Sequence, residues 1–157
     1  AMQGLATATS LRIFAASALD ALAIAGADGH APVAAWMDAQ RGEVFAALYD
    51  PAAAHTIIAP TSASPARTLD AWGSALPAGT RLVGDGAVRY REVILERLGS
   101  TTAIVEPPPL AAIVGRLASR SPERAVSPHA VVPIYIRKPD AELARIRGLE
   151  DQGARSK

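Results

Sequence analysis

The chain has 157 residues, which is long enough for one domain or slightly more with a buried core. Half of the residues are apolar, a fifth are charged, and 16 lysines and arginines stand against 15 acidic residues, so neither a disordered chain nor a basic nucleic-acid-binding surface is expected. The chain has no cysteine, which excludes disulfides and cysteine-type zinc sites, and it shows no signal peptide and no apolar run of about 18 residues. We therefore expect a soluble, cytoplasmic protein with no membrane partner.

The first 26 residues predict a helix, a strand and a second helix. An apolar stripe at helical spacing consists of Met2, Leu5, Ala6 and Thr9. The run "LRIFAA", residues 11–16, predicts a short buried strand. Ser17 begins a pattern like a capping box, with Asp20 in the usual glutamate position, for a helix that ends near Gly26.

A β-hairpin is predicted after the linker "GADGHAP". Its two strands are residues 33–38 and 44–50, with a glycine in the turn between them. The second strand is apolar on both of its alternating faces, which predicts a strand covered on both sides.

Strands and helices alternate in the rest of the chain. A third strand at residues 55–59 precedes Ser64 and Pro65, which predict a helix N-cap and first helical residue. The following elements are a strand at residues 80–84, a helix at 88–98, a strand at 102–106 and a helix at 110–118. From residue 33 the order is β-β-β-α-β-α-β-α, an α/β fold with a mixed sheet flanked by helices.

Four stretches are more specific than this order of elements. They are "MQGLATATSLRIFAASALDALA", "VAAWMDAQRGEVFAALYD", "LVGDGA" and "PIYIR". Together they resemble the TsaB family, also called YeaZ, of bacterial tRNA threonylcarbamoyladenosine synthesis. The resemblance runs from residue 2 to about Arg137. It is strongest at residues 38–44, where Asp-Ala-Gln-Arg-Gly-Glu-Val is close to the family's usual Asp-Ala-Arg-Arg-Gly-Glu-Val.

The resemblance implies a ribonuclease-H-like fold, the unit that occurs twice in actin-like and sugar-kinase ATPases. It also implies a non-catalytic scaffold that needs no cofactor. TsaB proteins pair with TsaD and, with TsaE, support threonylcarbamoyl transfer to N6 of adenosine 37 in tRNAs that read ANN codons. TsaD carries a metal motif of two histidines spaced His-x-x-x-His, whereas His30, His55 and His129 stand alone here. The implied partners are therefore TsaD, TsaE through the complex, tRNA only indirectly, and a second copy in a homodimer.

The family's usual Asp-Thr-Ser strand and its Gly-Pro-Gly-Ser-Phe-Thr-Gly-Leu-Arg loop are absent from this sequence. We therefore expect residues 1–29 to be the remnant of a truncated N-terminal ribonuclease-H-like unit. Residues 30–137 would then form the complete C-terminal unit, and residues 138–157 a charged tail that is frayed or disordered. The stripe of Met2, Leu5, Ala6 and Thr9 would be a partner interface.

Two acidic positions are weak candidates for a cofactor site, and no metal site is predicted. Actin-like ATPases place an acidic group near the phosphates at the corresponding hairpin, whose first strand ends here in Asp38. Backbone amides of Gly84, Asp85 and Gly86 follow a strand and could cradle a phosphate. The structural alternative is favoured: the carboxylate of Asp38 bonds turn amides, and Asp85 caps a helix.

Two enzymatic functions remain as alternatives. One is an actin-like-fold nucleotide-dependent transferase, and the other is a glycoprotease-type peptidase. A hydrolase triad of Ser62, His55 and Asp70 has little support because no Gly-x-Ser-x-Gly elbow surrounds any serine.

Overall fold

A mixed five-stranded sheet forms the centre of the molecule in the computed structural model, which describes residues 2–134 and 136. Its strands are β1 (Val33–Asp38), β2 (Val44–Tyr49), β3 (Thr56–Ala63), β4 (Arg81–Val83) and β5 (Ile104–Val105), in the order β3-β2-β1-β4-β5. β1 and β2 form the predicted antiparallel hairpin, and β3 continues it antiparallel to β2. β4 lies parallel to β1, and β5 parallel to β4. The predicted α/β class is thus confirmed.

The helices are α1 (Met2–Ala8), α2 (Ala18–Gly26), α3 (Pro65–Trp72), α4 (Asp85–Arg89), α5 (Arg91–Leu98) and α6 (Ala111–Arg120), with short 3-10 helices at Gly73–Ala75, Pro122–Arg124 and Pro128–Ala130. Both predicted serine caps are present. The hydroxyl of Ser17 accepts a hydrogen bond from the amide of Asp20, and that of Ser64 from the amide of Arg67. The predicted order of elements from residue 33 is confirmed, except that the helix predicted at 88–98 is divided into α4 and α5 at Tyr90.

The strand predicted at residues 11–16 is wrong. Ile13 alone forms an isolated antiparallel bridge with Val126, with backbone N to O distances of 2.8 and 2.9 Å, and Leu11 is 61% exposed. The apolar run suits a strand, but in the described part of the chain only this single residue finds a strand-like partner. By contrast β3 extends beyond its predicted end through Pro60, which an edge strand tolerates because that side needs no ladder donor.

One face of the sheet, here called the tryptophan face, is covered by α3, α4 and α5. The strand residues of this face are Ala34, Trp36, Val44, Ala46, Leu48 and Leu82. Trp36 is fully buried and meets Trp72 of α3 edge to face, with ring centroids 6.0 Å apart. Ile94 of α5 is also fully buried in this cluster. Helices that follow β3 and β4 along the chain thus close this face.

The opposite face, here called the tyrosine face, is covered mainly by α2. The strand residues of this face are Val33, Ala35, Ala47, Tyr49 and Val83. Leu19 and Leu22 of α2 pack on them, and α6 packs beside α2. A Cβ added at Gly26 would lie 2.3 Å from a methyl group of Val83, so glycine is what lets α2 approach the sheet.

Helix α2 lies before the predicted domain boundary at residue 29, yet it shares a core with the strands after that boundary. The division into residues 1–29 and 30–137 stays a prediction. The predicted charged tail, residues 138–157, lies outside the described residues. Within the described residues, none of the helices has the length and apolar character that a membrane crossing requires.

Candidate functional site

Asp38 and Asp85, both predicted from the sequence, meet where β1 ends and α4 begins. The amide of Asp38 donates a hydrogen bond to Oδ1 of Asp85 over 3.2 Å. The same oxygen accepts the amide of Gly86 over 2.9 Å. β1 and β4 are parallel neighbours, so their carboxyl ends reach the same edge of the sheet and bring the two residues together.

The carboxylate of Asp38 is held by groups of the protein itself. Its Oδ1 accepts the amide of Gln40 at 3.1 Å and the hydroxyl of Tyr90 at 3.3 Å. Its Oδ2 accepts the side-chain amide of Gln40 at 3.2 Å and lies 3.6 Å from Nε of Arg89. The Asp38 side chain is only 8% exposed. Both oxygens are therefore engaged and the charge has a cation beside it.

Gly84 and Gly86 lie directly against the backbone of β1. A Cβ at Gly84 would be 2.0 Å from the carbonyl oxygen of Trp36, and one at Gly86 would be 2.8 Å from the carbonyl carbon of Met37. Gly84 has φ 127° and ψ 169°, a conformation that is essentially confined to glycine. Close packing of α4 on β1 thus accounts for both glycines.

The prediction that Asp85 is the helix N-cap is wrong. Gly84 occupies the cap position and Asp85 is the first helical residue. The extended turn at Gly84 moves the helix start by one residue, so the carboxylate of Asp85 bonds its neighbour's amide and the end of β1 instead.

The geometry of this cluster agrees with the structural interpretation of Asp38, in which its carboxylate bonds a turn amide. Nucleotide binding by Asp38, Gly84, Asp85 and Gly86 stays a weak prediction. In the part of the chain that the structure describes, no group of three or more histidine, aspartate or glutamate side chains could hold a metal ion.

Arg89 and Tyr90 were missed from the sequence. Tyr90 contacts Asp38 across 52 positions. Both residues reach Asp38 from the end of α4, where Arg89 is the last helical residue and Tyr90, with φ −104°, is the C-cap. No motif links such distant positions in a single sequence, so only the fold reveals them.

The residues considered for a hydrolase triad have other partners. The hydroxyl of Ser62 donates to the carboxylate of Glu43 over 3.1 Å. Asp70 pairs with Arg97, which joins α3 to α5. Neither interaction joins two members of the considered triad to each other.

The predicted interface stripe is divided by the way α1 packs. Met2 is 74% exposed and Leu5 60%, whereas Ala6 is buried. Thr9 is exposed, and its hydroxyl donates to the carbonyl of Leu5 over 2.8 Å. The side-chain amide of Gln3 holds α1 against residues 128–131. Met2 and Leu5 therefore remain as an apolar surface, while Ala6 is part of the packing beneath it.

Comparison with known proteins yields structural neighbours only. No protein-family profile matches the chain, and no curated protein matches it. The solved structures that match include, with probability 1.00 each, a protein from Pseudomonas aeruginosa described as uncharacterized with similarity to peptidase YEAZ, and YeaZ from the same organism. The chain has a YeaZ-like fold.

Both neighbours are 24% identical in sequence, with TM-scores of 0.60 and 0.58, and the matches cover 86% and 85% of this chain. The chain spans 63% of the length of each neighbour. The resemblance to YeaZ seen in the sequence is thus confirmed by its structural neighbours, and at this identity the likeness establishes the fold.

An open apolar groove crosses the tyrosine face of this YeaZ-like fold. Its volume is about 370 Å³, and its walls are the start of α2, Met37 and Phe45 of the hairpin, Pro60, and residues 131–134 and 136. Two residues of the groove lining, Val132 and Ile134, are 76% and 72% exposed. The groove is a second apolar surface, separate from that of Met2 and Leu5.

A smaller, more polar cavity of about 240 Å³ lies between α2, α6 and the loop after β2. Two of its lining residues are hydrogen-bonded to each other: the hydroxyl of Tyr49 donates to Oδ1 of Asp20 over 2.7 Å. Burial and this hydrogen bond to a carboxylate raise the pKa of Tyr49 above its ordinary value. The guanidinium of Arg124, which also lines the cavity, lies 5.2 Å from the ring centroid of Phe14. We call this the side cavity.

Proposed function

We propose that the chain is a TsaB (YeaZ) subunit, a non-catalytic scaffold that pairs with TsaD in threonylcarbamoyl transfer to N6 of adenosine 37 of tRNAs reading ANN codons. The observation that carries this proposal is the YeaZ-like fold over 86% of the chain. The family-like segment at residues 38–44 supports it, because in the structure this segment joins β1 to β2 at the centre of the sheet.

The same proposal assigns the sheet to the ribonuclease-H-like class. Support comes from the order of elements after residue 33 and from two antiparallel pairings followed by two parallel ones. Residues 30–137 would be the C-terminal unit of that architecture, with α2 of the preceding segment packed on its tyrosine face.

The scaffold role is supported by the state of the candidate chemical groups. The carboxylate of Asp38 is occupied by Gln40, Arg89 and Tyr90. The glycines beside Asp85 are accounted for by contact with β1 rather than by an open phosphate cradle. These groups stabilise the junction of β1 and α4 and leave little capacity for chemistry.

The partner surface in this proposal includes Met2 and Leu5, because exposed apolar residues on one helix favour protein contact. TsaD is the proposed direct partner, and TsaE joins through the complex. Contact with tRNA is indirect, a homodimer is a further possible assembly, and the site of action is the cytoplasm.

Co-expression tests the proposed function. TsaD and TsaE of the same organism would be produced with and without this chain in cells depleted of their own TsaB, and tRNA nucleosides would be analysed by mass spectrometry. The expected result is that threonylcarbamoyladenosine is present only when the chain is supplied. If the tRNA of both cultures lacked threonylcarbamoyladenosine, the proposal would be contradicted.

Calorimetric titration with ATP and Mg²⁺ distinguishes the transferase alternative. The scaffold account predicts no saturable heat. Saturable binding near micromolar Kd that is lost in Asp38→Asn would instead favour a nucleotide-dependent enzyme.

A further inference from the structure

The side cavity contains two opposite charges that are not paired with each other. Asp20 accepts the hydroxyl of Tyr49, and Arg124 stacks over Phe14. Among the described residues, the ion pairs found join other side chains, and Arg124 takes part in none of them. An arginine over an aromatic ring can still donate hydrogen bonds from its N–H groups.

The walls of the side cavity are set by the packed core and by a tightly bonded loop. Tyr49 is only 3% exposed and belongs to the core of the tyrosine face. The loop at residues 50–55 is closed by hydrogen bonds from the amides of Ala53 and Ala54 to Asp50, and from the amide of Asp50 to the carbonyl of His55. This part of the cavity wall is therefore formed before any ligand arrives, which lowers the entropic cost of binding, and the exposed side chains of Asp20 and Arg124 are accessible to a ligand.

The size and chemistry of the cavity limit its occupant. Its volume of about 240 Å³ is smaller than the roughly 300–1,000 Å³ of sites for drug-sized ligands. Ile24 and Leu117 form an apolar part of the wall. Asp20 contributes a carboxylate that accepts hydrogen bonds, and Arg124 contributes a guanidinium that donates them. A ligand of only one charge would engage only one of these two charged side chains.

We propose that the side cavity binds a small zwitterion of the free α-amino acid class. The ligand's ammonium group would donate to Asp20, its carboxylate would accept from Arg124, and its side chain would pack on Ile24 and Leu117. Tyr49 keeps the Asp20 carboxylate in place from the core side. This proposal is independent of the pairing with TsaD.

Titration of the isotope-labelled chain by NMR tests the proposal with three probes: L-valine, its methyl ester and N-acetyl-L-valine. L-valine is expected to shift the amide signals of Ala53, Ala54 and Thr56 saturably. The ester lacks the carboxylate charge and the acetylated form lacks the ammonium, so each should bind at least about tenfold more weakly. Absence of saturable shifts with L-valine, or equal binding of all three probes, would overturn the proposal.

Variants at the two charges provide a second test. Arg124→Gln and Asp20→Asn should each weaken L-valine binding about tenfold or more. Asparagine keeps an oxygen that accepts from Tyr49, so the second change removes the charge with little disturbance of the core. Arg120→Gln is the matched control, since Arg120 is an exposed arginine of α6 outside the cavity lining. If Arg120→Gln weakened binding as much as Arg124→Gln, the assignment to this cavity would be wrong.

Discussion

The two faces of the sheet differ in how completely they are covered. On the tryptophan face, α3, α4 and α5 bury Trp36 and Ile94 fully, and glycines bring α4 into contact with the backbone of β1. On the tyrosine face, α2 covers the strands only in part, and the groove and the side cavity lie beside it. The tryptophan face is thus the more completely covered of the two, whereas apolar side chains remain exposed beside the tyrosine face and on α1.

The largest expected effect is at the contact between α4 and β1. Gly84→Ala should destabilise the fold by about 3 kcal/mol or more, because its Cβ would meet the carbonyl oxygen of Trp36 at 2.0 Å in a conformation that already disfavours side chains. Gly99→Ala is the matched control. Gly99 has a similar conformation, φ 98° and ψ 155°, but no atom within 4 Å of an added Cβ.

Chemical denaturation of the two glycine variants distinguishes the free-energy cost of backbone strain from the cost of the steric contact between the added Cβ and β1. Gly99→Ala should cost only about 1–3 kcal/mol, the backbone term. Equal losses in both variants would show that α4 does not press on β1 as described.

The same substitution, isoleucine to alanine, can be made on each face of the sheet to compare their contributions to stability. Ile94→Ala should lower the free energy of unfolding by about 2–5 kcal/mol, because Ile94 is fully buried on the tryptophan face. Ile134→Ala, at the rim of the groove and 72% exposed, should change it by no more than about 0.5 kcal/mol. Urea denaturation measures both. A large loss at Ile134 would mean that the groove is filled in solution.

Two tyrosine hydroxyls bond carboxylates on opposite faces. Tyr49→Phe removes the 2.7 Å bond to Asp20 and should cost about 1–2 kcal/mol, whereas Tyr90→Phe removes a 3.3 Å bond to Asp38 and should cost less than about 1 kcal/mol. The pKa of Tyr49 is raised in the folded chain, so its contribution is present below pH 10.0 and is lost as the pH rises above that value.

Thermal unfolding at neutral pH and at high pH checks the tyrosine prediction. The difference between the wild-type chain and Tyr49→Phe should narrow at alkaline pH. A difference that does not change with pH would contradict the assigned hydrogen bond.

The smallest expected effect is at Asp28, whose pKa is lowered by the amides of His30 and Ala31 and by Arg81 of β4. A lowered pKa means that this carboxylate adds stability above pH 3.8 and that the contribution is lost as the pH falls through the folded value. Asp28→Asn should therefore lower Tm slightly at pH 7, with the difference closing in acid.

Asp70→Asn is the control for the Asp28 variant, because its surface pair with Arg97 is exposed and contributes little. Scanning calorimetry at several pH values measures both variants. If the difference in Tm between the wild-type chain and Asp28→Asn widened in acid, the assigned direction of the pKa shift of Asp28 would be wrong.

Local patterns predicted much of the fold. The caps at Ser17 and Ser64 and the hairpin of β1 and β2 each depend on neighbouring residues, and each was found. The run at residues 11–16 failed because strand formation needs a partner that a local pattern does not specify, and here only Ile13 has one. The break at Tyr90 was missed because a helical period continues across it in sequence.

The candidate sites were less predictable than the fold. Asp38 could be singled out at the end of a predicted hairpin strand and Asp85 between two glycines, but their hydrogen bond depends on the parallel pairing of β1 with β4. The side cavity combines α2, β2, α6 and the 3-10 helix after α6, so its two charged residues, Asp20 and Arg124, are about a hundred positions apart in sequence. Long-range packing decides such sites, and a single sequence carries no record of it.

Direct binding to TsaD tests the central claim, that this chain is a partner subunit. Calorimetry would use purified TsaD of the same organism with the wild-type chain, with Leu5→Asp, and with Ile57→Asp as the control, an exposed apolar residue on the edge strand β3. The account predicts saturable binding that Leu5→Asp weakens at least about tenfold and Ile57→Asp leaves unchanged. Absence of binding at about 100 μM, or equal binding of wild-type and Leu5→Asp, would contradict it.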